Sequence, residues 1–136
     1  MNKLKARLKS GKACVNAWLA IPSGFSAEVM AQCGFDSVTV DMQHGVQDYQ
    51  SMVQCFQAMD KYPITPMVRV PWNEPGIIGK VLDGGAWGVI CPMVNTPAEA
   101  KALATASLSS QRQAQQWPDP RGDVRRGEQL PEDRQR

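Results

Sequence analysis

The stretch Asp41-Met42-Gln43-His44-Gly45-Val46 holds a carboxylate and, three residues on, the chain's single histidine. Histidine is the side chain whose ordinary titration lies nearest neutrality, which suits it to proton transfer. The stretch follows Ser37-Val38-Thr39-Val40, an apolar β-branched run that reads as a short buried strand. A charged residue and an imidazole at the carboxyl end of a strand, followed by glycine, are what a (β/α) enzyme places at its active-site rim. The other reading of His44 is a loop cap or a filler at a core corner. These six residues leave both readings open.

Positioning such a rim takes strands that alternate with helices, and residues 1–108 read that way. The basic start, Met1 to Lys12, and the apolar segment Ala13 to Ile21 could imitate a secretory signal, but Asn16 interrupts the apolar part. An amphipathic first helix leading into a strand over Cys14–Ala20 is the preferred reading. Ser26 reads as the N-cap of a helix over Ala27–Cys33, with Gly34 ending it. After the Ser37–Val40 strand, Met52, Val53, Phe56 and Met59 fall at helical spacing in a helix over Tyr49–Met59. Thr65–Val70 is a third strand, closed by Pro71. Pro75 opens a helix carrying Ile77, Ile78, Val81 and Leu82, which Gly84-Gly85 ends. Trp87–Pro92 is a fourth strand, and Asn95 or Thr96 caps a helix over Pro97–Leu108 with Glu99 in its first turn.

Four strand–helix units imply a parallel α/β sheet. A full eightfold barrel needs roughly 250 residues, so 1–108 amounts to about half of one. The rival is a small open α/β sheet. No glycine-rich phosphate loop follows the first strand, which disfavours a dinucleotide site.

Composition narrows the function classes. A formal charge of +2 gives no case for nucleic acid or a membrane surface, and no apolar run approaches a membrane span. Cys14, Cys33, Cys55 and Cys91 are widely spaced without a CxxC pair, and with one histidine they do not suggest a zinc cluster. Free thiols in a reducing cytoplasm are the expectation. The chain changes character near Leu108: residues 1–108 carry seven lysines and two arginines, while 109–136 carry six arginines, five acids and no lysine. Val124 and Leu130 are the only aliphatic residues larger than alanine in that tail, so 109–136 is expected to be disordered.

Spaced motifs along 13–108 carry a resemblance. They are Trp18-Leu19 with Pro22-Ser23, Glu28 with Gly34-Phe35-Asp36, Asp41-Met42-Gln43-His44-Gly45, Val68-Arg69-Val70-Pro71, and the long run Leu82-Asp83-Gly84-Gly85-Ala86-Trp87-Gly88-Val89-Ile90-Cys91-Pro92-Met93-Val94-Asn95-Thr96. Their order and spacing resemble the HpcH/HpaI aldolase/citrate lyase family, the metal-dependent class II aldolases of 2-oxo acids. The resemblance implies the N-terminal half of a phosphoenolpyruvate/pyruvate-type TIM (β/α)8 barrel. It also implies a divalent metal (Mg, Mn or Co), a small 2-oxo acid substrate and homo-oligomers, often hexamers. The reaction implied is reversible cleavage of a 4-hydroxy-2-oxo acid to pyruvate and an aldehyde. By this resemblance His44 is the base, Asp41 orients or polarises it, and Arg69 holds carboxylate and enolate oxygens. Trp18 and Gln43 complete the substrate-binding set, with Trp18 walling the pocket or packing in the core.

The chain departs from the family in three places. Gln43 stands where many members have glutamate. The family's metal-binding glutamate and aspartate lie on later strands, so no metal ligand is expected in this chain; Glu99, Glu128, Glu132 and Asp133 lack the matching context. The family's Tyr-Pro-Pro-x-Gly continuation is replaced by Ser109-Ser110-Gln111-Arg112-Gln113. Back-translated and read one base out of frame, residues 108–126 can yield that continuation, and Trp117-Pro118 then must yield glycine. A shifted frame near Leu108 is therefore an expectation, which makes 1–108 a partial barrel domain, 109–136 an out-of-frame tail, and activity weak or nil. The alternative is a non-catalytic module that binds a partner through the open sheet edge and the tail.

Overall fold

A computed structural model of the chain describes residues 2–116. The elements run α1 (Lys3–Lys9), β1 (Asn16–Leu19), α2 (Gly24–Ala31), β2 (Ser37–Asp41), α3 (Tyr49–Met59), β3 (Thr65–Arg69), α4 (Pro75–Asp83), β4 (Gly88–Ile90) and α5 (Pro97–Gln116). The strands form one parallel sheet in the order β1-β2-β3-β4. Each pair of neighbours is bridged by a helix, as parallel connections require.

The register sets three rows across the sheet. Asn16, Ser37 and Thr65 are partners; Trp18, Thr39, Met67 and Gly88 form the next row; Asp41, Arg69 and Ile90 form the last. Because side chains alternate along a strand, these residues share one face. Ala17, Leu19, Val38, Val40, Val68 and Val70 fill the other, where they join Ala27, Ala31, Met52, Cys55, Phe56, Met59, Ile78 and Val81 from α2, α3 and α4 in the core. Met67 and Gly88 adjoin in their row, and a Cβ on Gly88 would stand 2.4 Å from the Met67 sulfur.

Local chemistry explains the helix ends and corrects several expectations. The N-cap of α2 is Ser23, not Ser26: Ser23 has the extended backbone of a cap (φ −141°, ψ 115°), and its hydroxyl accepts the Ser26 N–H. Ser26 is thus the third helical residue, and the helix ends at Ala31, with Gly34 (φ 83°) making the left-handed turn toward β2. At α3 Asp48 and Ser51 cap one another reciprocally. The Glu74 carboxylate accepts from Gly76 and Ile77 at the head of α4. At α5 Thr96 Oγ1 accepts from Glu99 N, and Glu99 Oε2 accepts from Asn95 and Thr96.

The outer strands are shorter than their apolar runs. β1 starts at Asn16 because Val15 is already held by Asp36, whose carboxylate accepts the Val15 N–H at 2.8 Å. β2 runs one residue further than expected, to Asp41, which pairs with Arg69. Helix α5 continues past Leu108 to Gln116, so the first part of the expected tail is helical. Residues 117–136 of that tail lie outside the described residues. Helix α1 buries none of its residues and lies at the amino end of the sheet, where Asn2 Nδ2 donates to Trp87 O and Arg7 pairs with Asp36.

Candidate active site

Three of the five singled-out side chains meet at the carboxyl end of the sheet. Asp41 closes β2 and Arg69 closes β3, and the register sets them side by side. Arg69 Nε donates to Asp41 Oδ1 at 2.8 Å, and Nη2 donates to Oδ2. A two-point pair of this kind fixes the guanidinium plane as well as its position. The plane lies over the Trp18 ring, 4.7 Å from its centroid. Trp18 is 46% exposed, so it walls the open face and is not a core tryptophan.

Asp41 is 6% exposed. Its Oδ1 also accepts the backbone N–H groups of Gln43 (3.1 Å) and His44 (3.2 Å). The hydrogen bonds from Arg69 are the chief reason its carboxyl titrates at about 2, well below the ordinary 3.8; the His44 and Gln43 amides lower it further, and burial works against them. The same contact raises Arg69. Asp41 is therefore an anion near neutral pH, paired with the Arg69 guanidinium.

This arrangement shows what Asp41 touches. Its oxygens are taken by Arg69 and by two backbone amides. It fastens the loop that carries His44 through that residue's N–H, and the bond to His44 that the structure shows is this backbone one. The His44 side chain is exposed on the rim, one residue beyond half-buried Gln43.

Two further residues shape this loop. A Cβ on Gly45 would stand 2.4 Å from Asp41 O and 2.9 Å from Ala20 Cα, so the backbone passes where only glycine fits. Gln47 is buried, and its amide reaches the carbonyls of Leu19, at the end of β1, and of Ile21. Glutamine in a loop carries no burial signal in sequence, and Gln47 was not singled out there.

Among the described residues no three His, Cys, Asp or Glu side chains group as a metal site. Asp41, the carboxylate nearest His44 in sequence, is committed to Arg69. The described residues therefore do not supply a ligand set for the divalent cation that the resemblance implies. A cleft of about 540 Å³ lies at the amino end of the sheet, beside Lys3, Phe56, Tyr62, Thr65 and Trp87, and none of the five site residues lines it. No described helix is long and apolar enough to cross a membrane.

Comparison with known proteins adds an independent line. The sequence model of the HpcH/HpaI aldolase/citrate lyase family matches residues 15–118, past Leu108, where the motif resemblance ends. A hydroxypyruvate/pyruvate aldolase of Rhizorhabdus wittichii is 37% identical over 127 residues, which is 93% of this chain and 51% of that protein. A 4-hydroxy-2-oxo-heptane-1,7-dioate aldolase of Escherichia coli is 37% identical over 106 residues, 78% of this chain and 40% of that one. The crystal structure of an HpcH/HpaI aldolase/citrate lyase family protein from Burkholderia cenocepacia superposes with a TM-score of 0.75 at 30% identity, covering 89% of this chain and 45% of its own. The chain thus spans about half the length of these relatives, or less.

Proposed function

The chain belongs to the HpcH/HpaI aldolase/citrate lyase family, and from that premise we propose that its rim serves retro-aldol cleavage of a 4-hydroxy-2-oxo acid to pyruvate and an aldehyde. The observation that carries the reading is the Asp41–Arg69 pair laid on Trp18, with His44 on the adjoining loop. Its four parallel strand–helix units are the corresponding half of the family's TIM barrel.

In this reading His44 takes the proton from the C4 hydroxyl. The C3–C4 bond breaks as the C4 carbonyl forms, and the electron pair passes to the pyruvate enolate, which is then protonated at C3. Charge develops on the enolate and carboxylate oxygens, where donors held in advance are most effective. Asp41 engages two of the five N–H donors of Arg69, which leaves three for those oxygens. Asp41 thereby holds Arg69 charged and in one plane, and no step assigned here passes through a metal ion.

The rim also bears on the aldehyde. The loops 20–23, 42–48, 70–74 and 91–96 contain no lysine or arginine; their charged residues are Asp48 and Glu74, both helix caps. Ile21, Val46, Trp72 and Met93 are exposed there. An uncharged aldehyde suits this half of the rim better than the second carboxylate of a heptanedioate.

The test is pyruvate release from 4-hydroxy-2-oxo acids with added Mn, Mg or Co, comparing the chain with His44→Ala and Arg69→Ala. Turnover reduced by roughly 10²-fold or more in both variants is expected, the scale of losing an acid–base group or a fixed oxyanion donor. A parent rate no higher than that of the two variants, with every metal, would remove the reading.

A further inference from the structure

The loop carrying His44 is fastened to the exit of β1 at three successive residues. Gly45 passes Ala20 in a gap too narrow for a side chain. Val46 N donates to Ala20 O at 2.9 Å. Gln47 follows, 8% exposed, and its amide nitrogen donates to Ile21 O at 2.7 Å and to Leu19 O at 3.4 Å. The two N–H hydrogens of the amide face these two carbonyls, with the Cys55 sulfur a weaker third acceptor at 4.0 Å. Turning the amide would set its oxygen against both, so its orientation follows from its neighbours.

That orientation leaves Gln47 Oε1 buried with no hydrogen-bond partner among the described residues. A buried acceptor without a partner is destabilising, and a methionine or leucine of similar size would not carry that penalty. A glutamine here is explained by what its donors hold. Leu19 adjoins Trp18, whose ring supports Arg69. Ile21 O also accepts from Ser23 N, and Ser23 caps α2. On its own side Gln47 lies three residues after His44 and just before Asp48, the cap of α3.

We propose that Gln47 is a positioning residue of this site: by clamping the carbonyls of Leu19 and Ile21 it holds the His44 loop in register with Trp18. It acts through His44 and Trp18 and does not touch substrate. The proposal rests on the reading of those two as site residues, but its test needs no turnover.

His44 is the chain's only histidine, so the imidazole Cε1–H gives a single proton resonance. Three variants are compared with the parent: Gln47→Met, which keeps the volume and loses both donors; Gln47→Asn, which stays polar but is one methylene too short; and Thr65→Val, a buried polar change at the amino end of the sheet. Exchange of the Val46 amide is read in the same samples. The expected result is a displaced or broadened His44 line and faster Val46 exchange in both Gln47 variants, with Thr65→Val unchanged in both readouts. If Gln47→Met does not fold, Gln47→Asn decides alone. A His44 line that stays in place, or that moves as much in Thr65→Val, overturns the proposal. Failure of both Gln47 variants to fold also overturns it, since the residue would then serve stability. A silent pyruvate assay leaves the result standing.

Discussion

The two faces of the sheet are built from the same strands counted by twos, and they differ in kind. One face is Ala17, Leu19, Val38, Val40, Val68 and Val70, all buried against helices. The other is Asn16, Trp18, Ser37, Thr39, Asp41, Met67 and Arg69, nearly every one with a hydrogen bond or ring contact to another member. Ser37 Oγ and Thr39 Oγ1 donate to Asn16 Oδ1 at 2.8 and 2.9 Å, and one row later Asp41 holds Arg69. The helix-facing side is held by apolar area alone. The other side is held by polar pairs that must be complete, because a buried polar group without a partner is costly. Stability is concentrated on the first face and chemistry on the second.

That contrast can be broken most forcefully at β3, where neighbours in sequence face opposite ways. Val68→Asp places a carboxylate with no cation at a fully buried position. We predict a loss of about 4 kcal/mol or more, the range of buried unpaired charge, read as loss of a cooperative urea transition. Arg69→Ala, one residue on, should keep that transition at a lower midpoint, since it leaves the buried Asp41 carboxylate without its cation; loss of the transition in both would erase the distinction between faces.

The next effect in size is acid sensitivity. The folded Asp41 titrates at about 2 against an ordinary 3.8, so its contribution is fully present above the ordinary value and is lost as pH falls through about 2. The expected loss is on the order of 2 kcal/mol over that window. Unfolding curves at stepped pH should show this slope in the parent and a shallower one in Asp41→Asn. Equal slopes would mean that another carboxylate governs the acid limb.

Thr39→Val is smaller. It removes one hydroxyl donor to Asn16, which keeps the bond from Ser37. A cost of about 1 kcal/mol is expected by urea melt; a cost as large as that of a core cavity would place Thr39 with the apolar face. The smallest stability change should come from Trp72→Ser, since Trp72 is 66% exposed on the rim. It should alter stability by less than about 0.5 kcal/mol, while in an active preparation it shifts the choice between uncharged and carboxylate-bearing aldehydes. An unchanged preference would detach Trp72 from the site.

Much of this was legible from residue order. The apolar β-branched run Ser37–Val40, the run Thr65–Val70 closed by Pro71, and the helical spacing of Met52, Phe56 and Met59 placed two strands and a helix within one residue of where they stand. The misread cap at α2 has a simple cause: Ser23 and Ser26 are both good capping residues, and only the backbone angle at Ser23 distinguishes them. The extension of α5 was missed because residues beyond Leu108 lose apolar periodicity. Ala114, Arg112 and the glutamines among them are still good helix formers.

The sequence by itself determined the order of the strand–helix units, the apolar stripe of Met52, Val53, Phe56 and Met59 on α3, and the presence of Asp41, His44 and Arg69 at or just beyond strand ends. These follow from periodicity and residue chemistry, which are local. Only the tertiary structure decided that Asp41 binds Arg69 and not the His44 imidazole, that Trp18 lies under the guanidinium, and that Gln47 reaches back to Leu19 and Ile21. Those contacts join residues 26 to 51 positions apart. They exist because parallel register sets strand ends side by side, a relation that no local pattern along the chain encodes.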